Sequence, residues 1–194
     1  DYYLNDQSVF GIGGRLNKRT SKRIASSQTL ISNTTGTNRL ISENSYGSER
    51  GGFNFNPYYE FKSESNKLLI DFNYINFDSQ SMNTLSDAEG NTVPFVNRRY
   101  IQEGLYTIKT YRLDYTKTIS NKLSWSLGTR FADVNTDNDQ QSFSEVDGDV
   151  FSVNENESSQ FLIKESIFAL YSKINASVGK WSFSGGLRYE DSNT

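Results

Sequence analysis

Across residues 180–190 apolar and polar side chains alternate strictly. Trp181, Phe183, Gly185, Leu187 and Tyr189 fall on one side of an extended backbone, and Ser182, Ser184, Gly186, Arg188 and Glu190 on the other. A period of two predicts a strand with one apolar and one polar face. The same period recurs over residues 10–16, 53–61, 68–74, 111–115 and 123–131, while 163–174 is apolar on both sides. Residues 1–4, DYYL, read as the tail of an earlier strand, and no segment keeps a helical period. The expectation is an all-β fold, an antiparallel up-and-down meander of about seven to eight strands.

The connections extend this reading. Short turns rich in Asn, Ser, Asp or Gly are expected at 5–7, 63–66, 119–122 and 175–179, and long polar loops at 31–42, 79–97 and 134–160. Short and long alternate, so in a meander the tight turns share one end and the long loops the other. That is the layout of a transmembrane β-barrel of the outer-membrane type. A soluble sandwich or lipocalin-like barrel also alternates, with its apolar face inward, but strands of soluble proteins run about five to six residues. Several here hold the pattern for about ten, the length of a tilted spanning strand.

Aromatics gather beside the tight turns (Tyr2, Tyr3, Tyr59, Phe61, Tyr115, Trp125, Trp181) and near the loop ends (Phe77, Tyr106, Phe131, Tyr189), as two interfacial girdles would. On this reading Phe53, Phe55, Tyr59, Phe61, Leu68, Ile70, Phe72, Tyr74, Tyr111, Leu113, Tyr115, Leu123, Trp125, Leu127, Trp181, Phe183 and Leu187 face lipid.

Composition agrees with a chain that is greasy on one face only: 35% hydrophobic residues with a mean hydropathy of -0.66. Its 13 Phe, 12 Tyr and 2 Trp argue against disorder. The sequence has no Cys and no His, which removes disulfides, thiolates and the commonest general base and metal ligand. No catalytic residue, no cofactor and no enzyme activity is expected. A net charge of -3 gives no basic field for nucleic acid, which is not expected as a partner. No run of about eighteen apolar residues exists to make a spanning helix.

Three local motifs invite chemistry. The glycines of GIGGRL at 11–16 are followed by no helical pattern, so they thin a strand rather than cradle a phosphate. DVNTDND at 133–139 offers Asp133, Asn135 and Asp137 as weak metal-ligand candidates, but Asn138 and Ser144 stand where a calcium loop needs Gly and Glu. The acidic stretch 133–160, free of Lys and Arg, reads as a solvated loop, with a cation-binding patch as the alternative. In RLNKRTSKR, Arg15, Lys18, Arg19, Lys22 and Arg23 read as lumenal or loop charge, or as contacts for lipopolysaccharide phosphates or an anionic substrate.

DYYLNDQSVFGIGGRLN at 1–17, YYEFKSESNKLLIDFNYINFDS at 58–79, YRLDYTKTISNKLSWSLGTRF at 111–131 and ESIFALYSKINASVGKWSFSGGLRYE at 165–190 resemble, in order and spacing, a known family. It is the β-barrel part of TonB-dependent-receptor-like outer-membrane proteins of the Bacteroidetes type. The sharpest element is Glu165, Ala169, Tyr171 and Lys173 followed by Gly186, Leu187, Arg188, Tyr189 and Glu190. The resemblance implies a bacterial outer-membrane barrel of roughly twenty-two strands with a plugged lumen. It also implies a transport role: uptake of a ligand whose binding residues are unknown. The partners it implies are outer-membrane lipid and lipopolysaccharide, the rest of its own barrel with a plug domain, and the TonB complex. A non-transporting barrel serving as a structural, adhesive or assembly subunit is the alternative, and a soluble carbohydrate-binding β-domain a third. Residues 1–194 are expected to be a partial barrel without plug, since DYYL is too short to span and EDSNT stops where another long connection is due.

Overall fold

A computed structural model describes residues 1–33, 36–89, 96–147 and 150–194. These form β1 (Tyr2–Asn5), β2 (Ser8–Asn33), β3 (Gly36–Lys62), β4 (Asn66–Glu89), β5 (Val96–Ser120), β6 (Leu123–Asp147), β7 (Val150–Val153), β8 (Ser159–Val178) and β9 (Trp181–Asn193). They make a nine-stranded antiparallel sheet in the order β1-β2-β3-β4-β5-β6-β8-β9, with the short β7 pairing the upper end of β6. A single 3-10 turn, Glu155–Glu157, precedes β8. The sheet is an open meander in which β1 and β9 do not pair among the described residues.

The tight turns are made by the short polar side chains that mark them in the sequence. Asn5 Oδ1 accepts from the backbone N–H of Gln7 at 2.9 Å, Ser63 Oγ from that of Asn66 at 3.1 Å, and Ser120 Oγ from that of Lys122 at 3.3 Å. The fourth turn is Gly179–Lys180, not 175–179, because β8 continues to Val178 and Gly179 takes a positive φ, +62°.

The segments expected as long loops are largely strand. β2 and β3 run to Asn33 and from Gly36, β4 and β5 to Glu89 and from Val96, and β6 to Asp147 with β8 starting at Ser159. Residues 34–35, 90–95 and 148–149 lie outside the described residues. Beyond the apolar part of each hairpin, ladder hydrogen bonds and polar cross-strand pairs carry the sheet on without an apolar period. Ser21 and Ser48 hydroxyls meet at 2.9 Å, and Gln80 donates to Glu103 at 2.7 Å. β2, β3, β4, β5 and β6 hold 26, 27, 24, 25 and 25 residues. At about 3.3 Å per residue each is about 80 Å long, roughly twice the path of a tilted strand through a bilayer.

One interior position breaks the ladder. Pro57 has no N–H, and the β3–β4 register is interrupted between Phe55↔Tyr74 and Tyr58↔Asp71. The side-chain amide of Asn56 takes over, donating to the Phe72 carbonyl at 2.8 Å and to Asp71 Oδ2 at 2.8 Å. Replacing Asn56 by Leu leaves that carbonyl without a donor and is expected to destabilise the folded protein by about 1–3 kcal/mol. Urea unfolding in lipid vesicles measures this, and an unchanged midpoint would mean that the amide does not substitute for the missing N–H.

No second layer packs on the sheet among the described residues. Among the described residues the only buried apolar side chain is Ala169, while Leu16, Leu187 and Trp181 are 85%, 84% and 73% exposed.

Candidate functional site

Directly paired residues share a face, so the ladders assign every side chain to one of two faces. Phe10 pairs with Tyr59, Tyr59 with Ile70, Ile70 with Leu113, Leu113 with Thr129, Thr129 with Leu170, and Leu170 with Tyr189. Counting in twos from this line places all the residues expected to face lipid, from Phe53 to Leu187, on the same face.

Their apolar band is oblique to the ladders. Its upper border runs Leu16, Phe53, Tyr74, Tyr111, Phe131, Phe168, Tyr189, and its lower border Phe10, Phe61, Leu68, Tyr115, Leu123, Val178, Trp181. The ladder line from Phe10 ends on Tyr189. The upper border therefore descends by the interval from Leu16 to Phe10 across β2 to β9, and the lower border by the interval from Tyr189 to Trp181. That is about 1.0 to 1.3 residues per strand. With about 3.3 Å per residue and about 4.8 Å between strands, the band lies level when the strands tilt by about 35–43°. Transmembrane barrel strands tilt by about 35–45°.

Both borders are rich in aromatic rings. Along the upper one Phe53 and Tyr74 have centroids 5.4 Å apart and Tyr111 and Phe131 6.0 Å. Near the lower one the polar atoms of the rings find partners on the same face: Tyr59 donates to Ser8 Oγ at 3.2 Å, Tyr115 to Asn66 Oδ1 at 2.7 Å, and the Trp125 indole to Ser172 Oγ at 2.8 Å. Phe77 and Tyr106, expected in the upper girdle, stand on the opposite face, stacked on each other at 4.4 Å. The girdle positions of β4 and β5 are Tyr74 and Tyr111.

The opposite face is polar and close-packed by a different device. The Tyr58 ring lies over Gly11 and the Tyr171 ring over Gly128, so near that an added Cβ would stand 2.2 and 2.4 Å from ring carbons. Tyr171 also donates to Asp114, which pairs with Arg112. These glycine–aromatic contacts were not legible as sites because each partner comes from a neighbouring strand. A glycine in a period-two pattern facing an aromatic across the ladder is the signal that would find them.

Asp133, Asn135 and Asp137 occupy alternate positions of β6 on the face of the apolar band, above its border. Same-face neighbours on a strand are about 7 Å apart and point in parallel, so the three do not converge as a calcium loop would. Asn135 donates to Asp133 at 2.6 Å instead, and no cluster able to hold a metal ion is found among the described residues. The basic run of β2 is divided by the pleat: Lys18 and Lys22 lie on the apolar-band face, Arg15, Arg19 and Arg23 on the polar face.

Residues 59–194 match the outer membrane protein beta-barrel family. The chain belongs to that family. This outer membrane β-barrel protein is accordingly located in the bacterial outer membrane, and its antiparallel meander is the family's architecture. No curated protein matches the chain significantly.

Proposed function

We propose that this outer membrane β-barrel protein forms wall of a TonB-dependent-receptor-like transporter of the Bacteroidetes type, with the apolar band against lipid and the polar face lining the lumen. The oblique band supports the facing most directly, since a soluble sheet has no reason to confine its apolar residues to a belt that becomes level only at a membrane strand's tilt. The unpaired outer edges of β9, of β1 and of β2 above Phe10 support closure by further strands, because hydrocarbon leaves no partner for unpaired N–H and C=O groups. The polar face, with the rings of Tyr58 and Tyr171 packed against Gly11 and Gly128, suits a wet lumen filled by a plug.

Transport is tested by site-specific cross-linking of the whole protein in its native outer membrane. Cross-links to the TonB complex, and ligand uptake abolished by dissipating the proton-motive force, are the expected result. A barrel that inserts normally but shows neither is a structural or adhesive subunit instead.

A further inference from the structure

The pleat sorts charge above the apolar band. On the polar face, the rows from Arg15 to Arg23 cross Tyr46 to Asn54, Ile75 to Asn83, Tyr100 to Ile108 and Val134 to Ser142. Their charged strand residues are Arg15, Arg19, Arg23 and Arg50, with no carboxylate. The opposite face at the same rows carries Glu49, Asp78, Glu103, Asp137 and Asp139 against Lys18 and Lys22. Carboxylates reach the polar face of these rows only beyond β5, on the far side of the sheet from the arginines: Glu165 of β8 pairs with Val134, and Glu157 accepts from Ser142 at 2.9 Å.

Arg19 and Arg50 are direct cross-strand partners, an arrangement that places like charges about 5 Å apart at Cβ and is unfavourable when nothing neutralises it. None of Arg15, Arg19, Arg23 and Arg50 forms an ion pair among the described residues. Arg19 and Arg50 flank a shallow cavity of about 190 Å³ whose other walls are Ser21, Tyr46 and Ser48. The Tyr46 phenol is held below its ordinary pKa, first by its hydrogen bond to Ser48, against a burial penalty, and further by Ser81 and the Arg50 guanidinium. Two guanidinium forks with hydroxyl donors between them present what an oxyanion with several oxygens needs.

We infer that this arginine patch is a binding site for a soluble, multiply charged oxyanion, phosphate- or carboxylate-bearing, approaching along the lumenal face. The inference rests on the proposed facing of the two sides. A lipid-headgroup phosphate has no access to that face and would act on Lys18 and Lys22 instead.

The test uses the whole protein in lipopolysaccharide-free proteoliposomes with inorganic pyrophosphate as probe, measured by titration calorimetry. The double variant Arg19→Gln, Arg50→Gln is expected to weaken binding about tenfold or more, and Lys18→Gln, Lys22→Gln less than about twofold. Absence of pyrophosphate binding, or equal loss from both pairs, overturns the site. Ser48→Cys separates that failure from failure of the facing. Reaction with a water-soluble sulfonated maleimide, slowed by pyrophosphate, is expected. Reaction without protection removes the oxyanion site and keeps the facing, whereas reaction only with a lipid-soluble maleimide removes both.

Discussion

Lysine in place of Ile70 or Leu127 is expected to cost the folded protein about 2–4 kcal/mol, the penalty for a cation near the bilayer midplane on the lipid face. Ile70 sits between Tyr59 and Leu113, and Leu127 between Tyr115 and Ser172, each near the middle of the band on its strand. An ammonium group there has neither water nor a carboxylate within the band, and its stem must stretch to reach either border. Lysine at Ser126, the next position on β6 and on the opposite face, serves as the control: a lumenal group keeps its water, so even with Lys173 as its cross-strand neighbour it should cost no more than about 1 kcal/mol. Reversible urea unfolding in vesicles reads the differences. Equal costs at positions 126 and 127 would show that the two faces see the same solvent.

The second large effect is expected at Gly52. A Cβ there would stand 2.6 Å from the Asn76 carbonyl oxygen, 2.6 Å from Phe77 Cβ and 2.9 Å from Phe77 Cα. Two of these atoms are backbone, so the strand itself has to move, unlike at Gly128, where the obstacle is the far end of Tyr171 and Asp114. Gly52→Ala is expected to destabilise by about 1–3 kcal/mol and to disturb the Phe77–Tyr106 stack. Gly47→Ala, on the same strand with nothing within 4 Å, should change stability by less than about 0.5 kcal/mol. Unfolding midpoints of the two variants that coincide would remove close β3–β4 approach as the reason for glycine at position 52.

What the sequence discloses of this protein follows from which forces leave a periodic trace. Lipid demands apolar side chains at every second position, so β9 and the lower half of β6 are readable from Trp181–Leu187 and Leu123–Leu127 alone. Turns at Asn5, Ser63 and Ser120 are readable because side-chain oxygens replace backbone acceptors there. The upper halves of β2 to β6 have water on both sides, and ladder pairing tolerates Ser, Thr, Asn and Gln equally on either face. Their strands therefore looked like loops. The same blindness puts Phe77 and Tyr106 in the expected girdle: each lies one residue out of phase with its neighbours Tyr74 and Tyr111, and only the register reveals that both stand on the face opposite the apolar band. Arg50 lies far from Arg19 in the chain and joins it only through pairing, so the arginine patch could not be assembled from the basic run of β2.

The two borders of the band differ in what stands just past them. Moving outward on the same face beyond the upper border, the next residues are Lys18, Gly51, Asn76, Lys109, Asp133, Ser166 and Asp191, with full charges on β2, β5, β6 and β9. Past the lower border stand Ser8, Asn66 and one full charge, Lys117 of β5, and Tyr59, Tyr115 and Trp125 are tied to polar partners beside the tight turns. A membrane thicker than the band would have to draw those four charges into hydrocarbon, whereas a thinner one merely bares aromatic rings suited to an interface. With the band against lipid as proposed, hydrophobic mismatch is expected to act asymmetrically on this protein, favouring a thin bilayer over a thick one.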